Sequence, residues 1–138
     1  MEYKVLDVKD ISLMQNFIDD EQTKYEEENL INFINNENAY GFIARDEKQI
    51  VGFAYGYTLI RPDGKVDFYI HAIDIMKYYQ GNGYGTGLMN FIKEYVKEIG
   101  CRKMFLITNK SNISACKCYE KAGEINNTDD EIVNVYKQ

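Results

Sequence analysis

The chain carries a single histidine, a single proline and only three cysteines. With His71 alone, a multi-histidine metal centre is excluded. The cysteines, Cys101, Cys116 and Cys118, are odd in number and form no Cys-x-x-Cys pair. That argues against a disulfide framework or a zinc site and favours reduced, inert thiols, with no metal expected. One proline leaves no proline-rich linker, and the only biased stretch is the short acidic run Glu26 to Glu28. No apolar run approaches the roughly 20 residues that cross a bilayer. The opening Met1-Glu2-Tyr3-Lys4 lacks the basic and apolar regions of a signal peptide. A soluble, cytoplasmic protein with no membrane partner is therefore expected. Basic residues are outnumbered, 16 Lys and Arg against 22 Asp and Glu, for a net charge of −6. Nucleic-acid surfaces need a clustered basic face, so such a partner is disfavoured. An acidic surface attracts cationic molecules such as polyamines or aminoglycosides, although it also serves solubility alone.

What remains is enough for one core. Apolar residues make up 45% of 138 residues, and a single domain spanning 1–138 is expected. Val5 to Val8 alternates as a first strand. Asp10 is placed to cap a helix whose apolar positions are Ile11, Met14, Phe17 and Ile18. A second helix is expected from Tyr25 to Asn35. The period then changes: Tyr40 to Arg45, Ile50 to Leu59 and Val66 to Met76 read as strands of an antiparallel meander, with Pro62-Asp63-Gly64 as a turn. Leu88, Phe91, Ile92, Tyr95, Val96 and Ile99 recur at helical spacing, and Gly100 ends that helix. Lys103 to Thr108 reads as a strand covered on both faces. A short helix runs from Asn112 or Ser111 to about Lys121, and Ile132 to Tyr136 alternates as a last strand. The order is β-αα-βββ-α-β-α-β, an α/β (α+β) class with a mixed, mainly antiparallel sheet flanked by helices. The strand-helix-strand unit in its middle implies one parallel pair.

The segment joining the long strand to the best helix is Tyr79-Gln80-Gly81-Asn82-Gly83-Tyr84-Gly85-Thr86-Gly87. Alternating glycines let the backbone turn tightly and approach a ligand closely. The helix that follows offers unpaired N–H groups and the positive end of its dipole, an arrangement suited to a pyrophosphate. A Walker loop is excluded because no lysine stands in place. A Gly-x-Gly-x-x-Gly fingerprint fails in both frames, since it would require glycine at Thr86 or Leu88.

Gln80-Gly81-Asn82-Gly83-Tyr84-Gly85 instead resembles the Gln/Arg-x-x-Gly-x-Gly/Ala pyrophosphate loop of the GNAT acetyltransferases. A second stretch, Asn112-Ile113-Ser114-Ala115-Cys116-Lys117-Cys118-Tyr119-Glu120-Lys121-Ala122-Gly123, resembles that superfamily's Asn-x-x-Ala-x-x-x-Tyr-x-Lys-x-Gly. The resemblance covers roughly residues 40 to 125. Two positions depart from the commonest form: Gln80 stands where many members carry arginine, and Lys77 where many carry proline.

The resemblance implies the GNAT acyl-CoA N-acyltransferase fold. It also implies acetyl-CoA as cosubstrate and transfer of its acetyl group to a primary amine by direct attack in a ternary complex. Main-chain N–H groups of Ile75, Met76 and Lys77 would serve the oxyanion and the pantetheine. The loop Gln80, Gly81, Asn82, Gly83, Tyr84, Gly85 and Thr86, with Asn112 and Tyr119 from the second motif, completes the cofactor set. By resemblance Tyr119, one of 12 tyrosines, is the general acid for the leaving thiolate, and its phenol stays protonated at neutral pH. Asp74 is the first candidate for base or amine binder, because a carboxylate in an apolar strand must meet a partner or a substrate. Alternation puts His71 on the opposite face of that strand. Glu131 is a further candidate, and deprotonation through water needs no dedicated base.

Within the superfamily the chain also resembles the small aminoglycoside 3-N-acetyltransferases. The shared features are its length, Phe105-Leu106-Ile107-Thr108-Asn109, and Asp129-Asp130-Glu131 before Val133 and Tyr136. Polyamine or protein N-acetylation stays open, because Thr23 to Glu28 and Glu124 to Glu131 carry no readable pattern. A non-catalytic CoA-binding or regulatory module is the alternative of a different class. Dimers are common in the superfamily, so a homodimer is compatible with the resemblance.

Overall fold

The computed structural model describes residues 1–17, 23–123 and 132–137. Among the described residues five strands form one sheet in chain order: β1 (Glu2–Val5), β2 (Ala39–Arg45), β3 (Ile50–Ile60), β4 (Val66–Ile75) and β5 (Lys103–Leu106). The first four pair antiparallel, and β4 pairs with β5 in parallel. The helices are α1 (Ile11–Met14), α2 (Glu27–Ile34), α3 (Tyr84–Glu98) and α4 (Ile113–Lys121). As helix α3 connects β4 to β5, those strands run the same way.

Strand alternation builds two cores. Phe42, Ala54, Phe68 and Ile70 point to the side covered by α3 and α4, against Leu88, Ile92, Val96 and Tyr119. Ile43, Ile50 and Phe53 point to the other side, against Met14, Phe17 and Leu30 from the α1 and α2 region. Neighbours such as Phe42 and Ile43 thus serve different cores, the period-2 arrangement expected of a covered sheet.

Several boundaries moved. The first strand is Glu2–Val5 rather than Val5 to Val8, because Glu2 to Val5 pair with Arg45 to Phe42. Asp10 does not cap α1. Asp7 takes that role for a 3-10 turn at Val8–Asp10, accepting from the N–H of Lys9 at 2.8 Å, while Asp10 accepts from the N–H of Asp7 at 3.0 Å. The Asp10 carboxylate, 1% exposed, turns to the sheet and meets Lys4 Nζ at 2.9 Å and an Arg45 guanidinium nitrogen at 3.6 Å. Hydrogen bonding to Asp10 pushes the Lys4 ammonium above its ordinary pKa. Helix α2 is Glu27–Ile34, shorter than Tyr25 to Asn35.

The expected strand at Ile132 to Tyr136 is absent. Residues 132–137 hold no strand, and Ile132, Val133, Val135 and Tyr136 are 61–81% exposed. An alternating pattern becomes a strand only where a neighbour completes its hydrogen bonds, and among the described residues β5 pairs only with β4. Ile18 and residues 124–131 fall outside the described residues. Among the described residues, no helix is long and apolar enough to cross a membrane.

Candidate functional site

The ladder between β4 and β5 spans only four pairs, from Asp67–Lys103 to Ile70–Leu106. Strand β4 continues to Ile75 while β5 stops at Leu106. Beyond Ile70 the two diverge, and a cavity of about 190 Å³ opens there. It is lined on the β4 side by His71, Ile73 and Asp74, and on the other by Ile107, Asn112 and Tyr119.

The main chain of β4 supplies polar groups to this gap. Met76 N–H donates to the Val51 carbonyl at 2.8 Å. Successive residues of a strand direct their N–H groups to alternate sides, so those of Ile73 and Ile75 face away from β3, toward the gap. The carbonyl of Ile75 confirms that direction, since it accepts from Gln80 Nε2 at 2.9 Å. The sequence analysis counted Met76 among the main-chain donors, but its N–H is committed to β3 and does not face the gap. Ile73 holds the position that sequence reasoning missed. Lys77 opens a 3-10 turn, Lys77–Tyr79, and is exposed.

The glycine loop follows. The side chains of Gln80 and Asn82 turn inward on the chain itself. Gln80 binds the end of β4, and Asn82 Nδ2 donates to the carbonyls of Tyr79 at 3.3 Å and Gln80 at 3.4 Å. Both bonds brace the loop, and Gly81 to Gly83 are exposed. Gly83 is the residue before α3, with φ of 82°. That left-handed conformation costs an L-residue about 1 kcal/mol, so glycine belongs there. Gly87 is the first residue of this region whose N–H finds a helical carbonyl, that of Gly83 at 2.9 Å. The donors ahead of it, in the first turn of α3, have no helical partner. They sit at the positive end of a 15-residue helix, which favours an anion.

Helix α4 closes the other wall. Asn112 caps it by accepting from the N–H of Ala115 at 3.1 Å, which orients the helix so that Tyr119 reaches the cavity. Tyr119 is 7% exposed and packs in the α3–α4 core. The N-terminus of α3 and helix α4 touch directly, with Thr86 Oγ1 3.7 Å from Cys118 Sγ. At the C-terminal end of α4, Lys93 Nζ donates to the Ala122 carbonyl at 2.5 Å.

On β4 the register shifts: Tyr55 pairs with Ala72 and Gly56 with Ile70, leaving His71 as an extra residue. This bulge overturns the alternation argument for His71. Asp74 pairs with Phe53, a residue of the α1–α2 core, so its side chain lies on that face. The His71 ring meets Tyr55 at 5.2 Å, Tyr69 at 5.7 Å and Tyr57 at 6.4 Å between centroids, on the same face. Three residues apart without a bulge would have been opposite; with one residue inserted they are together. Nothing in the residue types announces the bulge.

The cavity thus has Asp74 and His71 on the α1–α2 face of the sheet and Tyr119 on the α3–α4 face. Glu131 lies outside the described residues. Among the described residues no group of three or more His, Cys, Asp or Glu side chains is placed to hold a metal ion.

A model of the Acetyltransferase (GNAT) family matches residues 7–123. The Bacillus subtilis (strain 168) protein YdhI, described as uncharacterized, is 36% identical over 84 residues, 60% of this chain and 48% of that protein. The chain thus spans about half the length of the curated relative it matches. Among solved structures, an aminoglycoside acetyltransferase from an uncultured soil metagenomic sample, in complex with sisomicin, superposes with a TM-score of 0.82 at 20% identity, covering 99% of this chain and 95% of that one. A ribosomal-protein-alanine N-acetyltransferase from Brucella melitensis biovar Abortus 2308 gives 0.75 at 16% identity, covering 98% and 100%. At these identities the likeness is one of fold.

Proposed function

The chain belongs to the acetyltransferase (GNAT) family, and on that premise we propose that it is an N-acetyltransferase that moves acetyl from acetyl-CoA to a small primary amine, by direct attack in a ternary complex, with residues 1–138 forming one such domain. The observation that carries this reading is the cavity between β4 and β5, to which Asp74 and Tyr119 contribute from opposite faces of the sheet. It opens beside a loop whose main-chain donors suit a diphosphate.

Acetyl-CoA supplies the activated acyl group and its thiol leaving group. The N–H groups of Gly81 to Thr86 hold the diphosphate, while Gln80 and Asn82 keep the loop in shape. Ile73 and Ile75 offer N–H donors to a carbonyl oxygen in the gap. Asn112 acts through α4, fixing the place of Tyr119. Tyr119 donates a proton to the departing sulfur, and Asp74 holds or accepts the proton of the incoming amine. An aminoglycoside or a polyamine fits the net charge of −6, and both belong on the acceptor panel.

The test is release of free thiol from acetyl-CoA across aminoglycosides, polyamines, aromatic amines and peptide N-termini. Amine-dependent release that Tyr119→Phe strongly reduces is expected. Saturable acetyl-CoA binding with no release on any amine would mark a CoA-binding module instead.

A further inference from the structure

A band of aromatic rings leads from the cavity across the α1–α2 face of the sheet. Phe33 of α2 meets Tyr55 at 5.9 Å, Tyr55 meets His71 at 5.2 Å, His71 meets Tyr69 at 5.7 Å, and Tyr69 meets Phe105 at 5.2 Å. The band is only half covered. The core beneath α1 and α2 takes in residues of β2 and β3 but, among the described residues, none within β4 or β5. His71 is exposed, and Phe105 is 37% exposed. Tyr55 and Tyr69 are half-buried, with Tyr55 packed against the α1–α2 core, and a partly open aromatic surface beside a cavity is suited to receive a flat ring.

Its position relates it to the reaction. The glycine loop and Tyr119 lie on the α3–α4 side of the sheet. A donor held there leaves its acyl carbon open to approach from the other face, the face of Asp74 and His71. An amine arriving at Asp74 therefore carries the rest of its molecule over His71, Tyr69 and Tyr55. The bulge is what turns the His71 ring onto this band. At Phe105, Lys103 Nζ stands 5.8 Å from the ring centre. The exposed His71 ring lines the cavity itself.

Resting on the acetyl-transfer reading above, we propose that Tyr55, Tyr69 and His71 are the acceptor platform, and that the acceptor is a primary amine carried on an aromatic body. A flat ring stacks on such a band, whereas a chain of ammonium groups covers little of it and keeps its hydration.

The test compares 2-phenylethylamine with n-butylamine, by calorimetric titration in the presence of CoA and by kcat/KM with acetyl-CoA. An aromatic preference of about tenfold is expected in both, the value of one or two added ring contacts. Tyr69→Leu and His71→Leu should each bring it to within about threefold, and Tyr69→Phe and His71→Phe should retain it. Taking the ratio within each preparation cancels any loss of folded protein. Equal affinity for the two amines in the parent protein, or a preference that survives both leucine substitutions, overturns the platform. Aromatic preference in binding without turnover leaves the platform standing and removes acetyl transfer; turnover without preference removes the platform alone.

Discussion

Gln80 Nε2 donates to the main-chain carbonyl of Ile75 at 2.9 Å, tying the glycine loop back to the last residue of β4. The bond joins the two parts of the site that must act together: the loop that would hold the diphosphate and the strand end that borders the gap. In the proposed reaction Gln80 would serve the cofactor through this bond rather than by touching it.

Gln80→Ala removes that tie while leaving the main-chain donors in place. A neutral hydrogen bond of this kind contributes about 1 kcal/mol. Acetyl-CoA affinity, read by calorimetry, should fall about fivefold with little change in Tm. An unchanged affinity would show that the loop holds its shape by the Asn82 bonds alone.

Tyr119→Phe keeps the ring that packs against α3 and removes only the hydroxyl. If the phenol donates the proton to the leaving thiolate, kcat should fall about 100-fold while acetyl-CoA binding and Tm stay near those of the parent. A parent-like kcat would assign Tyr119 to packing.

Gly56 lies opposite the His71 bulge, and a Cβ there would strike the main-chain carbonyl of Tyr69, with the Ile70 Cα at 3.0 Å. Backbone cannot step aside without opening the β3–β4 ladder. Gly56→Ala should cost about 3 kcal/mol and lower Tm by about 10 °C. A variant as stable as the parent would mean that the bulge rearranges freely.

Asp67 and Arg102 set an acid limit on stability. The Arg102 guanidinium donates to both carboxylate oxygens, at 3.2 and 3.3 Å, and holds the Asp67 carboxyl below the ordinary 3.8. A depressed folded-state pKa means that the unfolded chain binds the proton first. The contribution is therefore complete above pH about 4 and is lost as pH falls below that, through the folded value. Tm measured from pH 7 to pH 2.5 should drop more steeply in the parent than in Asp67→Asn at the acid end. Parallel curves would show that the pair adds nothing to folding.

Much of the architecture was readable before the structure. Leu88, Ile92 and Val96 at helical spacing, and the alternation through Phe42, Phe53 and Phe68, specify α3 and the meander, because these patterns depend only on each element's own period. The strand-helix-strand unit then required a parallel β4–β5 pair. The glycine loop was legible for the same reason: Gly83 and the first turn of α3 bring their own donors, whatever packs nearby. Asp10 was misjudged as a cap because its residue type suits that role, while its burial beside Lys4 and Arg45 depends on a strand over 30 residues away.

Local order over the meander, α3 and α4 was decided by the chain itself: the type of those elements, where the loop falls, and which residues can carry a proton. The tertiary structure alone decided what faces what. The inserted residue in β4 put His71 on the same face as Asp74, the early end of β5 opened the cavity, and Val51 took the N–H of Met76 away from it. Each outcome depends on a partner strand, and a hydrogen bond across a sheet is not encoded by either strand alone. For the same reason Ile132 to Tyr136, with a strand's alternation but no pairing strand among the described residues, did not become one.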